Sequence, residues 1–234
     1  ITMGEYLARS DYSELFKHAY ILPMGAAIWS TDVKRMLDFP ARFFVRFFRN
    51  HGLLSVNDRP QWYVVAGGSR QYIKPLVRGF IDKVRLNCAV RRITRSSENI
   101  QIEDSRGATE RFDAVFVATH SDQALSMLAE PTREERDILG AIQYQKNEAL
   151  LHTDSSILPR RKKARAAWNY YSGGDSRRLG VTYHMNKLQH LDAPVDFCVS
   201  LNSGDLVDKR KIIDRVEYEH PVFNPDSVIA QGRL

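Results

Sequence analysis

The chain has 234 residues, 43% hydrophobic and 26% charged, with 34 Lys and Arg against 28 Asp and Glu for a net charge of +6. That suits one large domain or two small ones with a buried core. The apolar stretches are too short for a membrane span, and the opening ITMGEYLARSDYSEL lacks the basic-then-apolar order of a signal peptide.

Cys88 and Cys198 are the only cysteines, and no CxxC occurs. This excludes a disulfide scaffold and points to a reducing, cytoplasmic setting. Ile stands at position 1, as expected of a piece cut from a longer polypeptide.

The first sixty residues read as helical. Thr2-Met3-Gly4-Glu5 and Asp11-Tyr12-Ser13-Glu14 both have the form of a capping box. Residues 21–30, ILPMGAAIWS, read as an apolar connector broken by Pro23 and Gly25. Asp38-Phe39-Pro40 then starts a helix expected to stop near Gly52. It carries Phe39, Phe43, Phe44, Phe47 and Phe48 at helical spacing, interleaved with Arg42, Arg46 and Arg49. Packing against the domain is the plain reading of that stripe; a lining for an apolar tunnel or a face resting on a bilayer is the sharper one.

From Gln61 the pattern turns to strands. Residues 62–66 read as a short strand, Gly67-Gly68 as a tight turn, and Ser69 as the cap of a helix reaching Phe80 and kinked at Pro75. A brief strand over 84–86 precedes a meander of strands over 89–95, 99–104 and 109–119. The last contains Ala114-Val115-Phe116-Val117-Ala118, apolar on both faces, as a buried parallel strand would be. Helices follow over 122–128 and 132–139. Alternating strands come next over 148–153, 164–171, 181–185, 196–202 and 215–220, separated by loops at Pro159, Gly173-Gly174 and Pro194.

Arg160, Arg161, Lys162, Lys163 and Arg165 form a basic run. Such a run grips phosphate or is simply a solvated loop; no nucleic-acid motif accompanies it. Trp29, Trp168, Tyr170, His184 and Asn186 are candidate pocket residues. Alternation puts Trp168 with Tyr170 on one strand face, and His184 with Asn186 on another. These rows line a substrate face or merely cover the sheet. The seven histidines show no HExxH or i, i+4 pairing, and no G-x-S-x-G occurs, so neither a metal centre nor a serine triad is expected.

Several pieces in consistent order carry a family resemblance: PMGAAIWS at 23–30, VVAGGSRQYIKPL at 64–76, AVRRI at 89–93 and FDAVFVATHSDQAL at 112–125. LHTDSSILPRR at 151–161, AAWNYY at 166–171, VTYHMNKLQHL at 181–191 and EHPVF at 219–223 continue it. The chain resembles the flavin-containing amine oxidoreductase superfamily, in its bacterial branch of NAD/FAD-binding proteins. The resemblance implies a mixed α/β fold: a partial Rossmann-like FAD domain with a β-meander, and an antiparallel-sheet and helical substrate domain. The expected division is 1–60 (helical part of the substrate domain), 61–125 (partial FAD domain) and 126–234 (antiparallel sheet of the substrate domain).

For the cofactor FAD, the resemblance implies an adenine contact through the main chain at Val90 and a close-approaching turn at Ala118, Thr119 and His120. No G-x-G-x-x-G occurs in the chain. The pyrophosphate turn is expected upstream of Ile1 and the flavin-closing segment downstream of Leu234, so the chain alone is expected to bind flavin weakly and to be inactive. Flavin amine oxidases commonly place a Lys near the flavin on the strand after the helix pair. The strand read here as 148–153 has none, and Lys146 is the nearest.

The expected function is an oxidoreductase moving a hydride from an amine, or from a small or lipid-like apolar substrate, to flavin. The alternative is a non-catalytic module that uses the Phe/Arg helix and the basic run against a membrane or a protein. Nucleic acid is not an expected partner; peripheral membrane contact and self-association through cut sheet edges are.

Overall fold

Thr2 caps the first helix as its sequence dictates: its Oγ1 accepts the Glu5 N–H, and the Glu5 carboxylate accepts the Thr2 N–H. In the computed structural model, residues 1–58, 60–172 and 179–234 are described, the side chains of Ser172 and Leu179 excepted. The expected Gly173-Gly174 loop lies outside them. The chain forms two compact units, Ile1–Lys74 with Gln145–His220, and Pro75–Tyr144 with Pro221–Leu234. The fold is mixed α/β with two antiparallel sheets.

The first unit begins with α1 (Met3–Ala8) and α2 (Glu14–Phe16). Ser13, not Asp11, caps α2 by accepting the Phe16 N–H. A π turn over Lys17–Ile21 leads directly into α3 (Leu22–Ile28), so the expected connector is largely helix. Pro23 is tolerated because it stands in the first turn of α3, behind a widened turn in which the Leu22 N–H reaches the Lys17 carbonyl.

Next come α4 (Val33–Met36), which gave no sequence signal, and α5 (Ala41–Asn50). Phe39, Phe44 and Phe48 are buried. Trp29 sits among them, its ring 4.4 Å from Phe39 and 4.9 Å from Phe47. Phe39, Phe44 and Phe48 of the stripe thus pack in the core, as its plain reading has it, while Phe43 and Phe47 are half-buried beside Trp29.

The same unit holds a five-stranded sheet ordered β5-β6-β7-β4-β8: β4 (Tyr144–His152), β5 (Trp168–Ser172), β6 (Leu179–His184), β7 (Cys198–Leu201) and β8 (Ile212–Pro221). Direct partners lie on the same face. One face carries the rows Trp168–Tyr183–Val199–Leu151 and Tyr170–Val181–Leu201–Ala149. The other carries His152–Cys198–His184 and Leu150–Ser200–Thr182 and is fully buried.

The second unit contains the expected meander: β1 (Val90–Arg95), β2 (Ile100–Asp104) and β3 (Thr109–Phe112), in that order. Asp104 shapes the second turn by accepting the Arg106 and Ala108 N–H groups, with Gly107 at φ 81°. Helices α7 (Ser121–Met127) and α8 (Arg133–Leu139) fall where the sequence puts them. A last helix, Pro225–Gln231, starts under an Asn224 cap and was not expected from the sequence.

Three expected strands are not strands. Residues 62–66 and 84–86 form no ladder, and β3 stops at Phe112, leaving 113–119 irregular. Apolar composition alone makes no strand; it needs a partner backbone, and none among the described residues pairs with these segments. Gly67 and Gly68 do form the expected turn, at φ 76° and 87°. The helix expected from Ser69 to Phe80 is instead a 3₁₀ turn (Ser69–Tyr72) followed by α6 (Ile73–Val77), with no cap from Ser69.

Candidate functional site

Val90 opens β1 opposite Asp104 and borders a groove of about 530 Å³ on the meander. Arg85, Cys88, Asp104 and Glu110 share its lining. Arg85 forks onto the Glu110 carboxylate, which holds that carboxyl below its ordinary range. The Cys88 thiol donates to Asp104 at 3.0 Å; this bond and burial raise its pKa, so it is no ready nucleophile. The groove therefore offers fixed charge and a strand edge rather than a reacting group.

The Ala118-Thr119-His120 turn leads into α7. Ala118 and Thr119 are exposed. His120 stacks on Tyr144 with ring centres 4.4 Å apart, and its Nδ1 is buried without a hydrogen-bond partner. The Tyr144 hydroxyl accepts the Ser121 N–H at 2.9 Å and so fixes the start of α7. An extended bridge between Ile93 and Leu128 ties the end of that helix to β1. Val90 and the 118–120 turn thus belong to one unit.

In the first unit, Trp168 and Tyr170 do share a sheet face, beside Tyr183, Val199 and Leu151. Trp168 meets Tyr183 edge-on at 5.3 Å. Strand alternation in β6 and β7 is the sequence signal that could have found Tyr183 and Val199. The Tyr170 hydroxyl is buried without a protein partner beside a cavity of about 30 Å³ that also touches Ala26, Ala27, Ser30 and Thr31. Burial pushes its pKa up to about 12 and raises that of Tyr183 as well, so both phenols stay protonated donors.

His184 and Asn186 do not share a strand face. β6 ends at His184, and Asn186 lies in the short helix α9 (Met185–Leu188). His184 points to the buried side, where its Nε2 meets Asp196 at 2.9 Å; Asp196 in turn holds Arg165 at 2.7 Å. Asn186 bridges to Val195 and Phe197 through its amide. Both residues fasten the 185–197 loop. Trp29 lies inside the phenylalanine cluster.

Lys146 also changes place: β4 begins at Tyr144, so Lys146 is inside the strand. It is exposed and paired with Glu217 at 2.8 Å, which raises its pKa.

No protein-family model matches the chain, and no curated protein matches it. Solved structures do. Wild-type putrescine oxidase bound to putrescine aligns with a TM-score of 0.67 at 12% identity, covering 100% of this chain and 59% of that one. Cyclohexylamine oxidase from Brevibacterium oxydans IH-35A gives 0.64 at 10% identity, covering 99% and 58%. A CLA-producing fatty acid isomerase from P. acnes gives 0.53 at 14%, covering 99% and 63%. The chain thus spans about three-fifths of the length of these relatives, and over that span its fold is the one found in these two amine oxidases.

Proposed function

We propose that this chain is part of an FAD-dependent oxidoreductase of the amine-oxidase kind, acting on an amine or an apolar organic substrate. The observation that carries the reading is the fold likeness over the entire chain to an oxidase bound to putrescine and to an oxidase of cyclohexylamine. The ordered sequence resemblance to flavin amine oxidoreductases points the same way.

The residues present fit an adenosine-bearing cofactor. Val90 borders a groove roomy enough for a purine, and the turn at Ala118, Thr119 and His120 keeps one buried ring nitrogen unpartnered. Val90 would hold the adenine through its main chain, and the 118–120 turn would approach the cofactor. When bound, the flavin supplies the hydride acceptor.

What the chain itself contributes is shape and dryness. Trp168, Tyr183, Val199 and Leu151 offer an apolar face to a substrate. Lys146 is held charged against Glu217 and supplies no base.

The test uses the full-length polypeptide that contains this chain. It should purify with a flavin absorbance band that bleaches when an amine is added without oxygen. A colourless full-length protein that takes up no FAD sinks the proposal.

A further inference from the structure

The antiparallel order of the five-stranded sheet brings three loops to one end. β4 ends at His152 and β6 at His184, while β7 begins at Cys198, and these three residues are in register. β5 begins at Trp168, opposite Tyr183. The Thr153 N–H bonds the Lys211 carbonyl at 3.0 Å, which brings the segment before β8 to the same end. The connections 153–167, 185–197 and 209–211 therefore crowd together. They are cross-linked by Arg165 to Asp196, by Lys187 to the Arg165 carbonyl, and by Lys211 to Asp154.

That end is strongly and unevenly charged. Arg165, Arg210 and Lys211 are spent on Asp196, Asp208 and Asp154. Arg160, Arg161, Lys162, Lys163, Lys187 and Lys209 carry no ion pair among the described residues, and all are exposed. Asp192 is the acidic residue of the 185–197 loop left to oppose them. The same end carries large apolar side chains that the fold leaves open: Trp168 (44% exposed), Leu191 (43%) and Val195 (46%). A protein surface meant only for water has no need to hold a tryptophan and two aliphatic residues beside unpaired arginines and lysines.

We propose that this end of the sheet docks on an anionic phospholipid bilayer. The cations would lie at the headgroup level, with Trp168, Leu191 and Val195 entering the interface. The chemistry is complementary on both counts, charge for the phosphate and serine headgroups and apolar area for the acyl boundary. A purely ionic partner such as a polynucleotide would leave the apolar trio unused. The surface differs from the phenylalanine stripe, whose Phe39, Phe44 and Phe48 rings are taken up by the core. Trp168 also borders the proposed substrate face, but flotation and quenching read lipid contact alone and do not depend on oxidoreductase activity.

The test is flotation with phosphatidylcholine vesicles, with and without about one-third phosphatidylserine. Binding should require phosphatidylserine and weaken steeply with added salt. Each cation removed should weaken partitioning about fivefold. The variant R160Q/R161Q/K162Q/K163Q, checked for an unchanged melting profile, should lose several hundredfold. Trp168→Ser should weaken binding at fixed charge, and brominated lipid should quench the parent's fluorescence more than that of Trp168→Phe. Equal binding to both vesicle types, parent-like binding by the quadruple variant, or absence of binding at low salt would each overturn the proposal. So would preference for a polynucleotide that is indifferent to Trp168.

Discussion

His152 shows how much one residue depends on partners far away in sequence. It is fully buried, its Nδ1 accepting the Asp154 N–H and its Nε2 lying 2.8 Å from the Ser200 Oγ, which continues to Thr182 at 2.7 Å. Because Nδ1 accepts, Nε2 must carry the proton, and the ring is neutral. Burial lowers its pKa below 6.5. The unfolded chain therefore takes up a proton before the folded one does, and stability falls as pH drops through about 6.5. Burial works against ionised Asp154 too, but the donors at Asp208, Lys211 and Ser156 together hold its carboxyl well below the ordinary value, so its contribution is lost only at lower pH. Denaturant unfolding from about pH 7.5 to about pH 5 should show this sloping limb, and His152→Leu should flatten it while lowering the plateau. Ser200→Ala strips His152 of its acceptor and should cost about 1–3 kcal/mol; a variant as stable as the parent would mean that the network does not matter. Nothing in the sequence marked this site. His152 read as one of several isolated histidines, and Ser200, Thr182 and Asp208 reach it only once the strands have paired.

At the scale of elements, legibility followed locality. Thr2 with Glu5 and Thr132 with Glu135 announce helix starts within four residues, and the meander turns at Ser96 and Asp104 are closed by their own side chains. Segments whose state depends on distant backbone, such as 62–66 and 113–119, were misread as strands because periodicity carries no information about whether a ladder partner is at hand. The α3 helix, missed because Pro23 and Gly25 look like breakers, yields a sharp prediction. A Cβ on Gly25 would come within 2.7 Å of Met36 Cε and 2.8 Å of Phe44 Cε2. Alanine there gains about 1 kcal/mol of helix propensity but forces aside a buried aromatic ring, at a cost of about 1–3 kcal/mol. Gly25→Ala should therefore fail to stabilise and should lower the melting temperature, whereas the same change in an open helix would raise it. At α8, Glu135 accepts the Thr132 N–H and grips Arg95 of β1, which together pull its pKa down to about 2. Glu135→Ala removes one half of the capping box, the Thr132 cap itself remaining, together with the helix-to-strand tie, and should cost about 1 kcal/mol, less at high salt, as read from unfolding midpoints.

At the scale of the whole molecule, the fold class and the order of elements were readable in the sequence, because alternation and helical spacing recur over many residues. Which apolar residues would end up outside was not. Phe116 is 98% exposed and Tyr63 85%, with Trp62, Val64, Val65 and Val117 also open. All lie in segments that read as strands and that form no ladder. An exposed phenylalanine beside unpaired backbone donors and acceptors attracts another copy of the same surface. The isolated chain should therefore self-associate with rising concentration, and the effect should persist at high salt because it is apolar rather than ionic. Phe116→Ser adds no clash and removes about 2 kcal/mol of apolar contact per buried ring, so sedimentation velocity should show it monomeric at concentrations where the parent is not. Association that is unchanged in Phe116→Ser but abolished by salt would place the contact on the basic end of the sheet instead. A parent that stays monomeric throughout would mean that residues 113–119 are content in water, and that the apolar run has no occupant to wait for.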